Sequence, residues 1–289
     1  MTRFQHVAVA ANDGPHVTLL AGVDLAGRYW ATTSASAAKV GMIRSRPSTA
    51  VLRSDDAFGG WTLTAGRAVI LDARRPCDGF ADPVAIALSG IALGRIGLAN
   101  ADQLIGYLDD RGAVPDRWSL TARVLLVVHD EHRLTWRAGQ VVGASGAFAD
   151  VDHTELKPAE RGSARFRGGS GVSGQLCTGL SPHQAELVRQ PGPCALGLST
   201  ALGPVVVPGE WQPHSCTVQL DPGLLTRLRA IVPGPFSVTL DDSHVARPSM
   251  KVGVMLRGTT TLVTNDLLSV HAARVTSWDG FSAVTTKVA

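Results

Sequence analysis

Little in this sequence is concentrated in one place. Its 289 residues hold 27 Lys and Arg against 24 Asp and Glu, a formal charge of only +3, and the basic residues are scattered rather than drawn into a stripe. That argues against nucleic acid as the main partner, because neutralising a phosphate backbone takes clustered cations. A local basic pocket for one small phosphate stays open. Long apolar runs are missing too. The most apolar stretch, Val84 to Leu98, is short and carries Arg95, so it reads as a buried or amphipathic helix rather than a membrane span. The opening Met-Thr-Arg-Phe-Gln-His passes at once into an alternating pattern with no signal peptide, and the expected compartment is the cytoplasm.

Cysteine is scarce: Cys77, Cys177, Cys194 and Cys216 lie far apart and form no C-x-x-C pair. Isolated buried thiols are expected, with neither a disulfide framework nor a metal site. His129 and His132 flank a turn without a carboxylate cluster, which again gives no metal site. Gly169-Ser170-Gly171-Val172-Ser173-Gly174 matches G-x-G-x-x-G, but no apolar strand leads into it and no helix follows at once, so it fails as a dinucleotide fingerprint. No nucleophile elbow or Ser/His/Asp spacing stands out.

What is present is a core-forming composition, 45% hydrophobic and 18% charged. Two apolar runs around Asn12-Asp13-Gly14-Pro15 read as a hairpin, and Arg28 to Thr33 as a third strand. Ser34-Ala35-Ser36 offers N-cap hydroxyls to a helix from Ala37 to Arg44, which Pro47 stops. Thr49 to Arg53 and the long alternating run Trp61 to Leu71 are strands. Helices are expected over Pro83 to Ala99 and Ala101 to Asp109, the second opened by an Asn100…Gln103 capping box. A hairpin around residues 129–132 follows, then a Gly- and Ser-rich stretch from Ala138 to Gly179.

The second half repeats this order. A helix capped by Ser181 with Gln184 precedes a strand, Gly203-Pro204 echoes Gly14-Pro15, and Cys216 to Leu220 and Pro222 to Ala230 supply strand and helix. Pro235 echoes Pro47, the loop at Asp241-Asp242-Ser243 echoes Ser54-Asp55-Asp56, and Gly258 falls in its long strand where Gly66 falls in the first. The expected fold is mainly β with helices, an α+β chain of two tandem split β-barrels packed as an intrachain pseudo-dimer. Its boundaries are residues 1–140, a connection over 141–180, and a degenerate second barrel over 181–289.

The run Trp30-Ala31-Thr32-Thr33-Ser34-Ala35-Ser36-Ala37-Ala38-Lys39-Val40, then Ile43-Arg44-Ser45-Arg46-Pro47 and Trp61 through Gly66-Arg67-Ala68, resembles the pyridoxamine 5'-phosphate oxidase-like FMN-binding split-barrel proteins, which include flavin- and deazaflavin-dependent oxidoreductases. The resemblance covers residues 5–72 well and 190–265 in outline. It implies a cofactor phosphate at Thr32, Thr33, Ser36 and Lys39, with Val17, Thr18 and Leu19 along the ring system and Trp61 near it. Physical chemistry points to the same place, since a helix N-terminus offers unpaired N–H groups and partial positive charge. The second copy enters its helix through Leu220-Asp221-Pro222-Gly223 with only Arg227 nearby, so at most one site is expected, the second half supplying a wall.

The resemblance implies FMN, with the 8-hydroxy-5-deazaflavin coenzyme, haem or no cofactor as alternatives. The functions left open are an oxidoreductase acting on a small organic substrate, a non-catalytic binding module, and a cofactor-free structural protein. No catalytic residue can be named. Partners are a small-molecule cofactor and substrate, without nucleic acid or membrane, and a homodimer stays open beside the intrachain pairing.

Overall fold

A computed structural model describes residues 4–55, 60–75, 82–110, 112–149, 172–242 and 247–288. The Asn12-Asp13 turn joins β1 (Phe4–Ala11) to β2 (Gly14–Leu25), which pair antiparallel outward from Ala11 and Gly14. β3 (Arg28–Ser34), α1 (Ala38–Ser45), β4 (Ser48–Asp55) and β5 (Gly60–Leu71) follow. Two helices, α2 (Pro83–Ala99) and α3 (Ala101–Asp109), precede β6 (Arg123–His129), β7 (His132–Arg137) and β8 (Gln140–Ser145). The strands join in the order β4-β1-β2-β3-β6-β5, and β4 pairs back onto β5 to close a six-stranded antiparallel barrel, with β7 and β8 continuing past β5.

The second half holds α4 (Val172–Leu176), α5 (Pro182–Arg189), β9 (Gly192–Thr200), β10 (Gly203–Gln212), β11 (Thr217–Gln219) and α6 (Leu224–Leu228). β12 (Gly234–Asp241), β13 (Val252–Thr264), β14 (Leu267–Asp279) and β15 (Ser282–Lys287) complete it. Here the order is β11-β10-β9-β12-β13-β14, closed by β11 on β14, with β15 at the edge. The chain is therefore an α+β fold of two closed six-stranded barrels packed together.

The two registers correspond residue for residue. Gly14 and Gly203 open the second strand of each hairpin with φ of +114° and +113°, a conformation that glycine adopts without steric cost. Gly66 lies opposite Thr49 and Gly258 opposite Phe236. A Cβ on Gly66 would stand 2.0 Å from the His129 carbonyl oxygen, and one on Gly258 2.0 Å from that of His271. Each long strand thus needs a residue without a side chain where its neighbour bends across it.

The barrels meet reciprocally. A Cβ on Gly14 would touch Cβ of Pro235, and one on Gly203 would touch Cβ of Ser48, and Ser48 and Pro235 are themselves register equivalents. This is the self-complementary contact of a two-fold dimer, formed here inside one chain. Burial explains the strand compositions. On β6 the side chains of Val124, Leu126 and Val128 fill the first barrel, which α1 plugs with Val40 and Ile43. Leu125 and Val127 point outward under Ala85, Ala92 and Ile96 of α2. An unbroken apolar run follows from burial on both faces. Asp82 fastens α2, taking two hydrogen bonds from Arg28 at 2.8 and 2.9 Å, one from the Ala85 amide at 2.9 Å, and lying 3.0 Å from His129 Nε2.

Several local expectations change. β6 and β7 do not form a hairpin; both flank β5, β6 along Ala68 to Leu71 and β7 along Gly60 to Ala65. Asn100 does not cap α3, because its side-chain amide donates to the Ile96 carbonyl at 2.9 Å and so closes α2 instead. The Ser181–Gln184 capping box forms in both directions. The strand expected from Cys216 is shorter, Thr217–Gln219, and the helix expected from Pro222 runs only over Leu224–Leu228. β8 carries the first sheet to Ser145, past residue 140. Cys77, most of the Gly/Ser-rich stretch, the first three residues of the G-x-G-x-x-G match and Asp56 and Ser243 of the acidic loops lie outside the described residues. Cys177, Cys194 and Cys216 are free thiols. No single described helix is long and apolar enough to cross a membrane; α2 and α3 reach that length only as a pair bent by 77°.

Candidate functional site

A cavity of about 470 Å³ opens between the barrels. Its first wall comes from β2 (His16 to Ala21), the end of β3, and the start of α1. Of the eight residues expected at a site, Val17, Thr18, Leu19, Thr32, Thr33, Ser36 and Lys39 line this cavity. Trp61 does not: it is buried in the apolar core shared by the barrels, its ring 5.7 Å from that of Trp136 and 10° from parallel.

Ser36 is not the N-cap of α1. The cap is Ala37, without a side-chain hydrogen bond, and the Ser36 hydroxyl is 2.8 Å from that of Ser34. Lys39 is the second residue of the helix, among the N–H groups that have no partner within it. Burial, and after it the charge of Arg123, holds the Lys39 ammonium down to about 8. Arg123, at the start of β6, donates to the Thr32 hydroxyl at 3.2 Å and the Thr32 carbonyl at 3.1 Å, and also to the Tyr107 hydroxyl at 3.1 Å. One end of the cavity thus gathers two cations and four hydroxyls on Thr32, Thr33, Ser34 and Ser36.

The opposite wall belongs to the second barrel. Lys251 just before β13, Met255 on β13 and Thr276 and Trp278 on β14 face the cavity, and Asp241 and Asp242 also line it. A Cβ on Gly253 would stand 2.0 Å from the Trp278 indole, so that ring lies across bare backbone. Phe281, in the turn after β14, packs on Tyr107 and Trp118 at 6.3 and 6.1 Å and joins the two walls. Burial first, then Lys39 and Arg257, lower His16 to about 4, leaving a neutral imidazole at pH 7. His16 Nδ1 and Gln103 Nε2 are buried polar atoms at the cavity wall without a hydrogen-bond partner among the described residues. Such atoms suit a ligand edge carrying nitrogen and oxygen. Among the described residues no cluster of His, Cys, Asp or Glu could hold a metal ion.

Arg123, Tyr107, Lys251 and Trp278 escaped the sequence reading, because β6, α3, the residue before β13 and β14 each bring one of them to β2. One signal was there for Trp278. It follows His271 by seven positions, as Trp136 follows His129, once Gly66 and Gly258 are aligned.

No protein-family model matches the chain, and no curated protein does. Solved structures match it distantly over about half its length. General Stress Protein 26 from Bacillus anthracis is 15% identical, covering 47% of this chain and 84% of its own, with a TM-score of 0.30. A pyridoxamine 5'-phosphate oxidase-related, FMN binding protein from Nostoc punctiforme is 14% identical over 47% of this chain and 74% of its own, at 0.33. HutZ, the heme storage protein of Vibrio cholerae, is 13% identical over 48% and 87%, at 0.32.

Proposed function

We propose that the chain binds a phosphate-bearing flavin, FMN or the 8-hydroxy-5-deazaflavin coenzyme, between its barrels, and works as an oxidoreductase on a small organic molecule. The observation that carries this reading is the make-up of the cavity: Lys39, Arg123 and four hydroxyls gathered on the first barrel, with Val17, Leu19, Met255 and the Trp278 indole among the residues of its other walls. Thr32, Thr33, Ser36, Lys39 and the α1 N-terminus would hold the phosphate, where hydroxyls, amides and an ammonium suit a dianion. Val17, Thr18 and Leu19 from one barrel and Trp278 from the other would flank the ring, with Gln103 and His16 offered to its polar edge. A bound flavin supplies hydride transfer, and the protein's part is to orient it and keep water away. The volume of about 470 Å³ lies in the range of small-molecule sites.

Titration of the purified protein with FMN and separately with the deazaflavin, followed by visible absorbance, tests the reading. Saturable binding that Lys39→Ala weakens supports it; binding of neither cofactor refutes it. Haem in the same cavity is the second reading, favoured by the neutral imidazole of His16, a type of axial ligand. A Soret band on adding haemin that His16→Ala abolishes would select haem over flavin.

A further inference from the structure

The cavity has a counterpart in the other half of the chain, and the register says where. Five positions before Gly66 on β5 stands Trp61, opposite Trp136; five positions before Gly258 on β13 stands Gly253, opposite Trp278. Trp136 and Trp278 are therefore equivalent, and so are Trp61 and Gly253. The single indole of Trp278 covers Gly253, which is itself buried, and that indole is a wall of the cavity. Around Trp61 a second indole stacks on the first, and Leu176 of α4 and Val188 of α5 belong to the same apolar cluster. Three other equivalents have changed in the same sense. His16 and Thr18 on β2 correspond to Val205 and Val207 on β10, and Thr33 on β3 to Leu220 after β11. All three replacements are buried in that cluster.

The geometry points to one residue position as the determinant of where this chain can bind: Gly253 keeps one inter-barrel site open, and Trp61 at the equivalent position fills the other. The inference rests on the flavin reading only for the identity of the ligand, and it assigns one ligand per chain. Gly253 acts through Trp278, as a positioning residue. A side chain there meets ring atoms between 2.0 and 2.8 Å away, so a small one must displace the indole, and an indole must stack upon it as Trp61 stacks on Trp136.

The experiment compares the wild-type chain with Gly253→Trp and Gly253→Ala. Stacked indoles give an exciton couplet in far-ultraviolet circular dichroism. The wild type should show one such couplet, lost in Trp61→Gly, and Gly253→Trp should add a second on Trp278. FMN should saturate the wild type at one per chain, bind about tenfold more weakly to Gly253→Ala, and not bind to Gly253→Trp. Undiminished FMN binding by folded Gly253→Trp, or absence of the second couplet, would overturn the inference. So would failure of Gly253→Trp to fold, since the position is held to accept an indole as its equivalent does. Should the wild type bind no flavin, the cofactor reading falls alone. The couplet and the binding of anilinonaphthalene sulfonate, a planar aromatic anion, then decide between an open and a closed site.

Discussion

The indole of Trp61 lies on that of Trp136, their centres 5.7 Å apart and their planes 10° from parallel, within the apolar core that the barrels share. Replacing Trp61 by Ala removes the stack and leaves a void where the fold cannot readily collapse. Unfolding free energy should drop by about 3–5 kcal/mol. Because Trp61 is not a wall of the cavity, FMN affinity should stay within about twofold of wild type, the change that a single weak contact makes. Urea denaturation and absorbance titration on one preparation check both halves of the expectation.

Lys39→Ala should behave in the opposite way. Its ammonium is desolvated and has no ion-pair partner among the described residues, so its loss should leave the melting temperature unchanged or raised. If the flavin phosphate binds there, affinity should fall about ten- to a hundredfold, the worth of a hydrogen bond to a charged group (about 1.5–3 kcal/mol). Thermal melts with and without FMN separate these effects. A variant destabilised without ligand and unaltered in affinity would make Lys39 a structural residue.

Stability and affinity should run in opposite directions on the alkaline side. Lys39 and Lys251 are both held down to about 8 from an ordinary 10.5, chiefly by burial. Between those values the unfolded chain binds more protons than the folded one, so the ligand-free protein gains stability as pH rises through the window. A phosphate needs the charged ammonium, so FMN affinity should fall over the same range. His16 works at the acid end. Held at about 4 against 6.5, it stays neutral where the unfolded chain takes up a proton, and stability should decline as pH falls between those values. His16→Asn should remove that part of the decline. Chemical denaturation across pH, with each variant beside wild type, measures the slopes.

Asp82→Ala should loosen α2. The carboxylate holds Arg28 and the Ala85 amide and lies beside His129, and its pKa is lowered because these contacts outweigh its burial. Removing it leaves the Arg28 guanidinium without its anion, at a cost of about 3–5 kcal/mol. The wild type should lose the same stabilisation as pH drops below the usual carboxylate range and through this lowered value. Hydrogen exchange should rise first over Pro83–Ala99, ahead of the barrel strands.

How far the sequence carries depends on whether a feature is local. Asn12-Asp13-Gly14-Pro15 declares its hairpin because a tight turn restricts the residues within it, and Gly203-Pro204 repeats the device with the same backbone angle. Gly66 and Gly258 were readable as a matched pair because a crossing carbonyl admits no side chain. That Thr32, Thr33, Ser36 and Lys39 lie together on the cavity wall was legible for the same reason, since all four belong to one strand end, the turn after it and the helix that follows. Trp61 was misjudged because a large aromatic on an alternating strand looks alike whether it faces a ligand or another tryptophan. β6 and β7 were read as a hairpin because adjacency in sequence is the only pairing signal a single chain offers. Both instead line up along β5, a choice made by contacts about sixty residues away.

The reciprocal contacts of Gly14 with Pro235 and of Gly203 with Ser48 have an evolutionary consequence. In a homodimer every substitution arrives twice, so neither copy of an interface can be altered alone. Joining the halves in one polypeptide lifts that constraint. One copy can accept a tryptophan or trade hydroxyls for aliphatic side chains while the other keeps its chemistry. The symmetry that built the interface then survives as scaffold, with each half free to mutate toward a different task.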